Sequence, residues 1–190
     1  MEIPDYLIKQ ISEGRVVLFL GSGASADSSS KDGRKPPTGN GLSQLLSRKF
    51  LGGKYDNASL AQVGDFAISE SDLITVQQYI KSLFEDFEPT VAHRITTSFR
   101  WHGIVTTNYD LLVEKAYEEP HSKPAQILQK FVEHGDRIEE KLRDPNSVPF
   151  LKLHGCITRA SNDSCPLILS VDQYLTYRKC RERIFNHFYN

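Results

Sequence analysis

The sequence of 190 residues has little that would mark it for a special environment. It holds three cysteines, Cys156, Cys165 and Cys180. An odd count at wide spacing argues against a disulfide-stapled secreted scaffold and suits a reducing compartment. No apolar run approaches the ~18 residues that a membrane helix needs. The opening stretch MEIPDYLIKQISEGR lacks the basic segment and apolar core of a signal peptide, so a cytoplasmic location with no membrane partner is expected. Neither sign of charge dominates, with 23 basic and 24 acidic residues and a net charge of -1. That balance argues against direct nucleic-acid binding. What remains is ordinary globular composition, 39% hydrophobic and 25% charged, in a chain long enough to bury a full core.

Along the chain, IPDYLIKQISEG (3–14) sets Ile3, Leu7, Ile8 and Ile11 on one helical face, with Gly14 as a stop. RVVLFL (15–20) reads as a strand buried on both faces. Residues 26–40, rich in Ser, Lys, Gly and Pro, read as a mobile loop, open to a role as a lid. Helices are expected from Asn40, a candidate N-cap, through residue 99, one of them opening at Asn57. HGIVTTN (102–108) is a second buried strand. A helix follows from near Asp110, then strands at 125–131, 149–155 and 166–170, with a short charged helix or solvated insertion at 133–144. A last helix is expected over 171–190. The alternation predicts an α/β fold: a Rossmann-like sheet of mostly parallel strands with helices on both faces. A helical subdomain at about 40–99 is inserted in what reads as one domain over 1–190.

Three short motifs carry chemistry. GSGASA follows the first strand, and its small residues allow a backbone to approach a pyrophosphate. A tight turn alone would also account for it. TTNYD (106–110) lies where a strand gives way to a helix, and Asn108 or Asp110 fits either a ligand or a helix cap. KLHGC (152–156) delivers His154 at another strand end, where a structural histidine is equally ordinary. His93, His102, His121, His134 and His187 show no partner pattern and read as surface or packing residues. Taken together, the motifs gather a phosphate turn, an Asn/Asp pair and a histidine along one edge of a parallel sheet. That is the arrangement of a dinucleotide site with a candidate base.

The ordered set VVLFLGSGAS, GIVTTNYDLLVEKA, FLKLHGCI and LILSVDQYLTY resembles the sirtuin-like catalytic domain. It is most similar to the zinc-free branch in bacterial anti-phage defence proteins, whose members cleave NAD+. The resemblance spans most of residues 15–178. Deacylating sirtuins carry two Cys-x-x-Cys zinc pairs, absent here, so no metal is expected. The resemblance implies an NAD+ hydrolase that releases nicotinamide and ADP-ribose and depletes NAD+ in abortive infection. Alternatives are an NAD-dependent deacylase or ADP-ribosyl transferase, or a non-catalytic NAD-sensing module. It also implies a longer protein that assembles as a homo-oligomer or with a defence partner through regions beyond residue 190.

In that reading Gly21, Ser22, Gly23, Ala24, Ser25 and Thr107 contact NAD+. His154 is the general base on water or a ribose hydroxyl. Asn108, which donates and accepts but does not titrate, holds ribose or water. Asp110 bonds the nicotinamide amide, as its family counterpart does.

Overall fold

The computed structural model describes residues 3–132, 138–164 and 166–176. Helix α1 (Asp5–Ser12) ends before Gly14, whose φ of 68° is the left-handed turn that glycine permits. Strand β1 (Val17–Leu20) runs into a 3₁₀ turn at Ser22–Ser25. Then follow β2 (Ser29–Ser30), α2 (Gly39–Leu51), α3 (Leu60–Glu70), α4 (Leu73–Phe84), β3 (Phe87–Glu88) and α5 (Val91–Thr96). The second half holds β4 (Gly103–Thr106), α6 (Leu112–Glu118), β5 (Ile127–Phe131), α7 (Ile138–Lys141) and β6 (Ser147–Lys152), with a 3₁₀ turn at Ile157–Arg159.

Four strands form one parallel sheet in the order β1-β4-β6-β5, flanked by helices, which is the expected α/β Rossmann-like architecture. One face presents Leu18, Leu20, Ile104, Val148 and Phe150 to Val113 and Tyr117 of α6 and to Ile11 of α1. The other carries Val105, Leu151 and Phe131, joined by Leu142 and Leu153. Helices α2, α3 and α4 share a separate core with Tyr109, Ile157, Leu167 and Leu169.

Several local expectations are corrected. Strand β1 is not buried on both faces: among the described residues it is an edge strand, and Phe19 is 60% exposed. The loop at 26–40 is tied down. Residues 29–30 pair antiparallel with 87–88, and Arg34 bridges Asp32 and Asp86 at 2.8 and 3.1 Å. Thr38, not Asn40, caps α2 by accepting from the Gly41 amide at 3.1 Å. Ser59, not Asn57, caps α3, in a reciprocal box with Gln62.

Residues 166–170 are not a strand. Leu167, Ile168 and Leu169 are buried as a central strand would be, but apart from the Ile168 amide, which donates to the His154 carbonyl, their backbone bonds go to side chains. Gln77 Oε1 accepts from Leu167 N at 2.6 Å, Gln173 Oε1 accepts from Leu169 N at 2.8 Å, and Tyr109 Oη donates to the Ile168 carbonyl at 2.6 Å. Of the 133–144 insertion, residues 133–137 lie outside the described residues, as does the final helix beyond residue 176.

Helix α5 opens on an unusual cap. Thr90 Oγ1 accepts from the His93 amide, and His93 Nδ1 accepts from the Thr90 amide, both at 3.3 Å. The imidazole must be neutral at Nδ1 to accept. Burial holds the His93 pKa below its ordinary value, against the pull of the Asp110 carboxylate. The unfolded chain therefore binds more protons than the folded one between that depressed value and about 6.5. Stability contributed here is complete above about pH 6.5 and is lost as the pH falls through the folded value. In His93→Gln, where the amide oxygen replaces Nδ1, the urea midpoint should fall less between pH 7.5 and 5.5 than in wild type. Equal slopes would remove His93 as a source of acid sensitivity.

Candidate active site

Strands β1, β4 and β6 stop in one row. Leu20 lies opposite Thr106, and Thr106 opposite Lys152. The segments that follow therefore leave the sheet side by side at its C-terminal edge, where open α/β sheets bind ligands. They border a cavity of about 450 Å³. Its walls take Ser22, Gly23 and Ser25 from the first segment, Thr107, Asn108 and Asp110 from the second, and His154 from the third. Gly21 and Ala24 are not among the lining residues, though Gly21 contributes a carbonyl.

The polar groups are interlocked. Asn108 Nδ2 donates to the Gly21 carbonyl at 2.9 Å and to Ser25 Oγ at 3.0 Å. Ser25 Oγ donates in turn to Asp110 Oδ2 at 2.7 Å. Ser25 and Asp110 are buried, while Asn108 is half-buried. The serine hydroxyl thus orients the amide and the carboxylate rather than facing outward. Asp110 Oδ1 also accepts from the Leu112 amide at 3.1 Å, so one carboxyl group both holds the first amide of α6 and closes the network. Helix α6 accordingly starts at Leu112, two residues after Asp110.

The glycines separate the two readings of the turn. Neither Gly21 nor Gly23 has a positive φ, and a Cβ built on either would meet no atom within 4 Å. The protein's own packing therefore does not require glycine at either place. Ser22 and Gly23 are exposed on the cavity side, at the leading end of a turn whose Ala24 amide bonds the Gly21 carbonyl at 3.0 Å. A backbone free of side chains there leaves room for a ligand to approach closely. Gly23→Ala is expected to change stability by less than about 0.5 kcal/mol. If a dinucleotide lies against the turn, the same change should weaken NAD+ binding by roughly tenfold, about 1.4 kcal/mol. Calorimetry on a folded variant measures both, and unchanged affinity would leave the turn without a ligand role.

Gly155 behaves in the opposite way. Its φ is 90°, and a Cβ would stand 2.9 Å from the Pro166 carbonyl. It lets the chain turn sharply after His154, whose own carbonyl accepts from the Ile168 amide at 3.0 Å. The half-buried His154 ring packs edge-on against Tyr174, with centroids 5.3 Å apart.

A buried ion pair fixes the segment after β4. Lys152 is 1% exposed and donates to the Asp110 carbonyl and to Glu114 Oε1, the latter at 3.3 Å. Lys130 reaches the same carboxylate oxygen at 3.3 Å. Burial works to lower the Lys152 pKa, but the Glu114 carboxylate, then Cys156 and Asp110, outweigh it and hold the ammonium above its ordinary value.

Several wall residues were not legible as site residues: Lys35, Pro36 and Pro37 from the tied-down loop, Phe84 at the end of α4, Tyr109 and Tyr174. The two adjacent prolines were the available signal, since they stiffen a loop that would otherwise be mobile. A second cavity of about 520 Å³ between α6 and β5 contains none of the predicted residues. Among the described residues no group of His, Cys, Asp or Glu could hold a metal ion, and no helix is long and apolar enough to cross a membrane. Cys165 and Cys180 lie outside the described residues.

Residues 102–190 match the family model of the SIR2-like domain. The matched span includes Asn108, Asp110 and His154. The glycine turn precedes it and joins the site through the β1–β4 register and the Asn108 bonds. No curated protein matches the chain.

Proposed function

We propose, from the match of residues 102–190 to the SIR2-like domain model, that this protein is an NAD+ hydrolase that cleaves NAD+ to nicotinamide and ADP-ribose. The observation that carries this reading is the cavity at the strand ends. It combines an exposed glycine turn, an amide and a carboxylate locked together through Ser25, and a histidine delivered from a third strand. Its volume of about 450 Å³ falls in the range of small-molecule sites.

In the proposed reaction the pyrophosphate lies against Ser22 and Gly23. The bond between the nicotinamide nitrogen and ribose C1′ breaks, and its electron pair leaves with the neutral nicotinamide. Positive charge develops on the ribose, and the site's task is to orient the sugar and deliver water. Asn108 holds the ribose or the water, its own orientation set by the Gly21 carbonyl and Ser25. Asp110 accepts from the carboxamide of the leaving group. Water bonds to C1′ and passes its proton to His154.

We further propose a role in anti-phage defence by NAD+ depletion, acting in the cytoplasm and as an assembly. That part rests on the motif resemblance alone. It calls for phage challenge of cells carrying the wild-type or His154→Ala protein, with cellular NAD+ followed during infection. The chemistry is tested by product identity. Incubation with NAD+, with and without an acetyl-lysine peptide, should give nicotinamide and ADP-ribose in equal amounts in both cases. Acyl-ADP-ribose that appears only with the peptide would replace hydrolysis by deacylation. NAD+ binding without any product would leave a sensing module.

A further inference from the structure

Tyr174 was not singled out by the sequence, yet its main chain is anchored at the cavity wall. It stands in the helical residues 171–176, which leave the buried segment Leu167–Leu169. The start of that helix is locked by a reciprocal pair. Gln173 N donates to Ser170 Oγ at 3.1 Å, and Gln173 Oε1 accepts from Ser170 N at 3.0 Å and from Leu169 N at 2.8 Å. Tyr174 N donates to the Ser170 carbonyl at 3.1 Å. The tyrosine is thus carried on an anchored helix start, not on a free loop.

Its ring meets His154 at an interplanar angle of 89° with centroids 5.3 Å apart, the edge-to-face arrangement that aromatic rings prefer. At that separation the rings are in contact and no water fits between them. Both residues line the same cavity as Asn108 and Asp110, and Tyr174 stays half-exposed on it. The phenol ring therefore stands against the imidazole at the cavity wall.

We infer that Tyr174 is a positioning and specificity-determining residue of this site. Its ring fixes the His154 imidazole and closes that side of the cavity to acceptors larger than water, so that ribose C1′ is captured by water. The inference rests on the hydrolase reading and deepens it by naming what selects the acceptor. The chemistry balances for either acceptor. The C1′–nitrogen bond breaks with its electron pair leaving on nicotinamide, an oxygen–C1′ bond forms, and the acceptor's proton passes to His154. Water yields ADP-ribose, and an alcohol yields an O-alkyl-ADP-ribose.

The test is a partition measurement on the full chain. NAD+ is cleaved in the presence of methanol or 1-propanol, and the ratio of alkylated to free ADP-ribose is read by chromatography. Wild type should give almost no propyl product. Tyr174→Ala and Tyr174→Leu should raise the propyl ratio by about 10- to 200-fold, the span that a steric wall in a pocket supplies. Tyr174→Phe should keep the wild-type ratio, because the ring remains. A ratio within one preparation does not depend on how much of it is folded, so a merely structural role would not move it. The inference is overturned if the smaller side chains partition as wild type does. A wild-type protein that releases no nicotinamide from NAD+ would overturn the hydrolase reading itself, and this inference with it.

Discussion

His154→Ala is expected to lower NAD+ cleavage by about 100- to 10,000-fold, the usual contribution of a positioned base. The reason lies in how the chain separates chemistry from folding at this point. The His154 main chain is structural, since its carbonyl accepts from the Ile168 amide and Gly155 turns the chain against Pro166. The side chain is half-buried, lines the cavity and meets the Tyr174 ring in an edge-to-face contact. Its removal leaves every main-chain bond in place, so thermal unfolding should be close to that of wild type. The loss should fall mainly on kcat, because in the proposed reaction the imidazole acts on the acceptor rather than in holding NAD+. Steady-state kinetics beside a melting curve checks this. A variant that keeps wild-type turnover would remove His154 from the chemistry.

Lys152→Ala should act on the fold, costing about 3–5 kcal/mol, as expected when one partner of a buried pair is removed. Lys152 is among the largest fully buried side chains of the protein, and its ammonium joins Glu114 to the carbonyl of Asp110. Truncation strips the buried Glu114 carboxylate of its buried partner, leaves the half-exposed Lys130 as its cation, and orphans the Asp110 carbonyl. Chemical denaturation should show a lower midpoint with an unchanged slope. Because the folded Lys152 pKa is raised, the contribution is complete at neutral pH and is lost only as the pH rises through that raised value. Lys152→Met with Glu114→Leu should recover much of the loss, because no charge is then buried alone. A loss under 1 kcal/mol in Lys152→Ala would mean that the pair does not hold the Asp110 segment.

The site's frame was legible because three apolar runs each end in small or polar residues, and parallel strands stack those ends in one row. The row of Leu20, Thr106 and Lys152 follows from that pattern. What was not legible depends on partners far away in sequence. A run such as VLFL reads the same at the sheet's edge as at its centre, so the exposure of Phe19 was hidden. The run PLILS looked like a strand because it is just as buried. Only Gln77 and Gln173, whose side chains take the place of a neighbouring strand, decide otherwise. The 26–40 segment has a loop's composition, and its order comes from Arg34 reaching Asp86 across 52 positions. The bonds of the Ser25 hydroxyl to Asn108 and Asp110 were hidden as well, since they appear only once the turn and the second segment are side by side.

The central claim is that the cavity at these strand ends both binds and cleaves NAD+. Its most direct test pairs calorimetric NAD+ binding with nicotinamide release, on the same preparations of wild type, Asn108→Ala and His154→Ala. The account predicts that wild type binds and releases nicotinamide and that both variants stay folded. His154→Ala should bind nearly as wild type does and release almost none, and Asn108→Ala should lose release by more than it loses binding. Wild-type release in both folded variants would contradict it, and would place any NAD+ chemistry of this protein elsewhere.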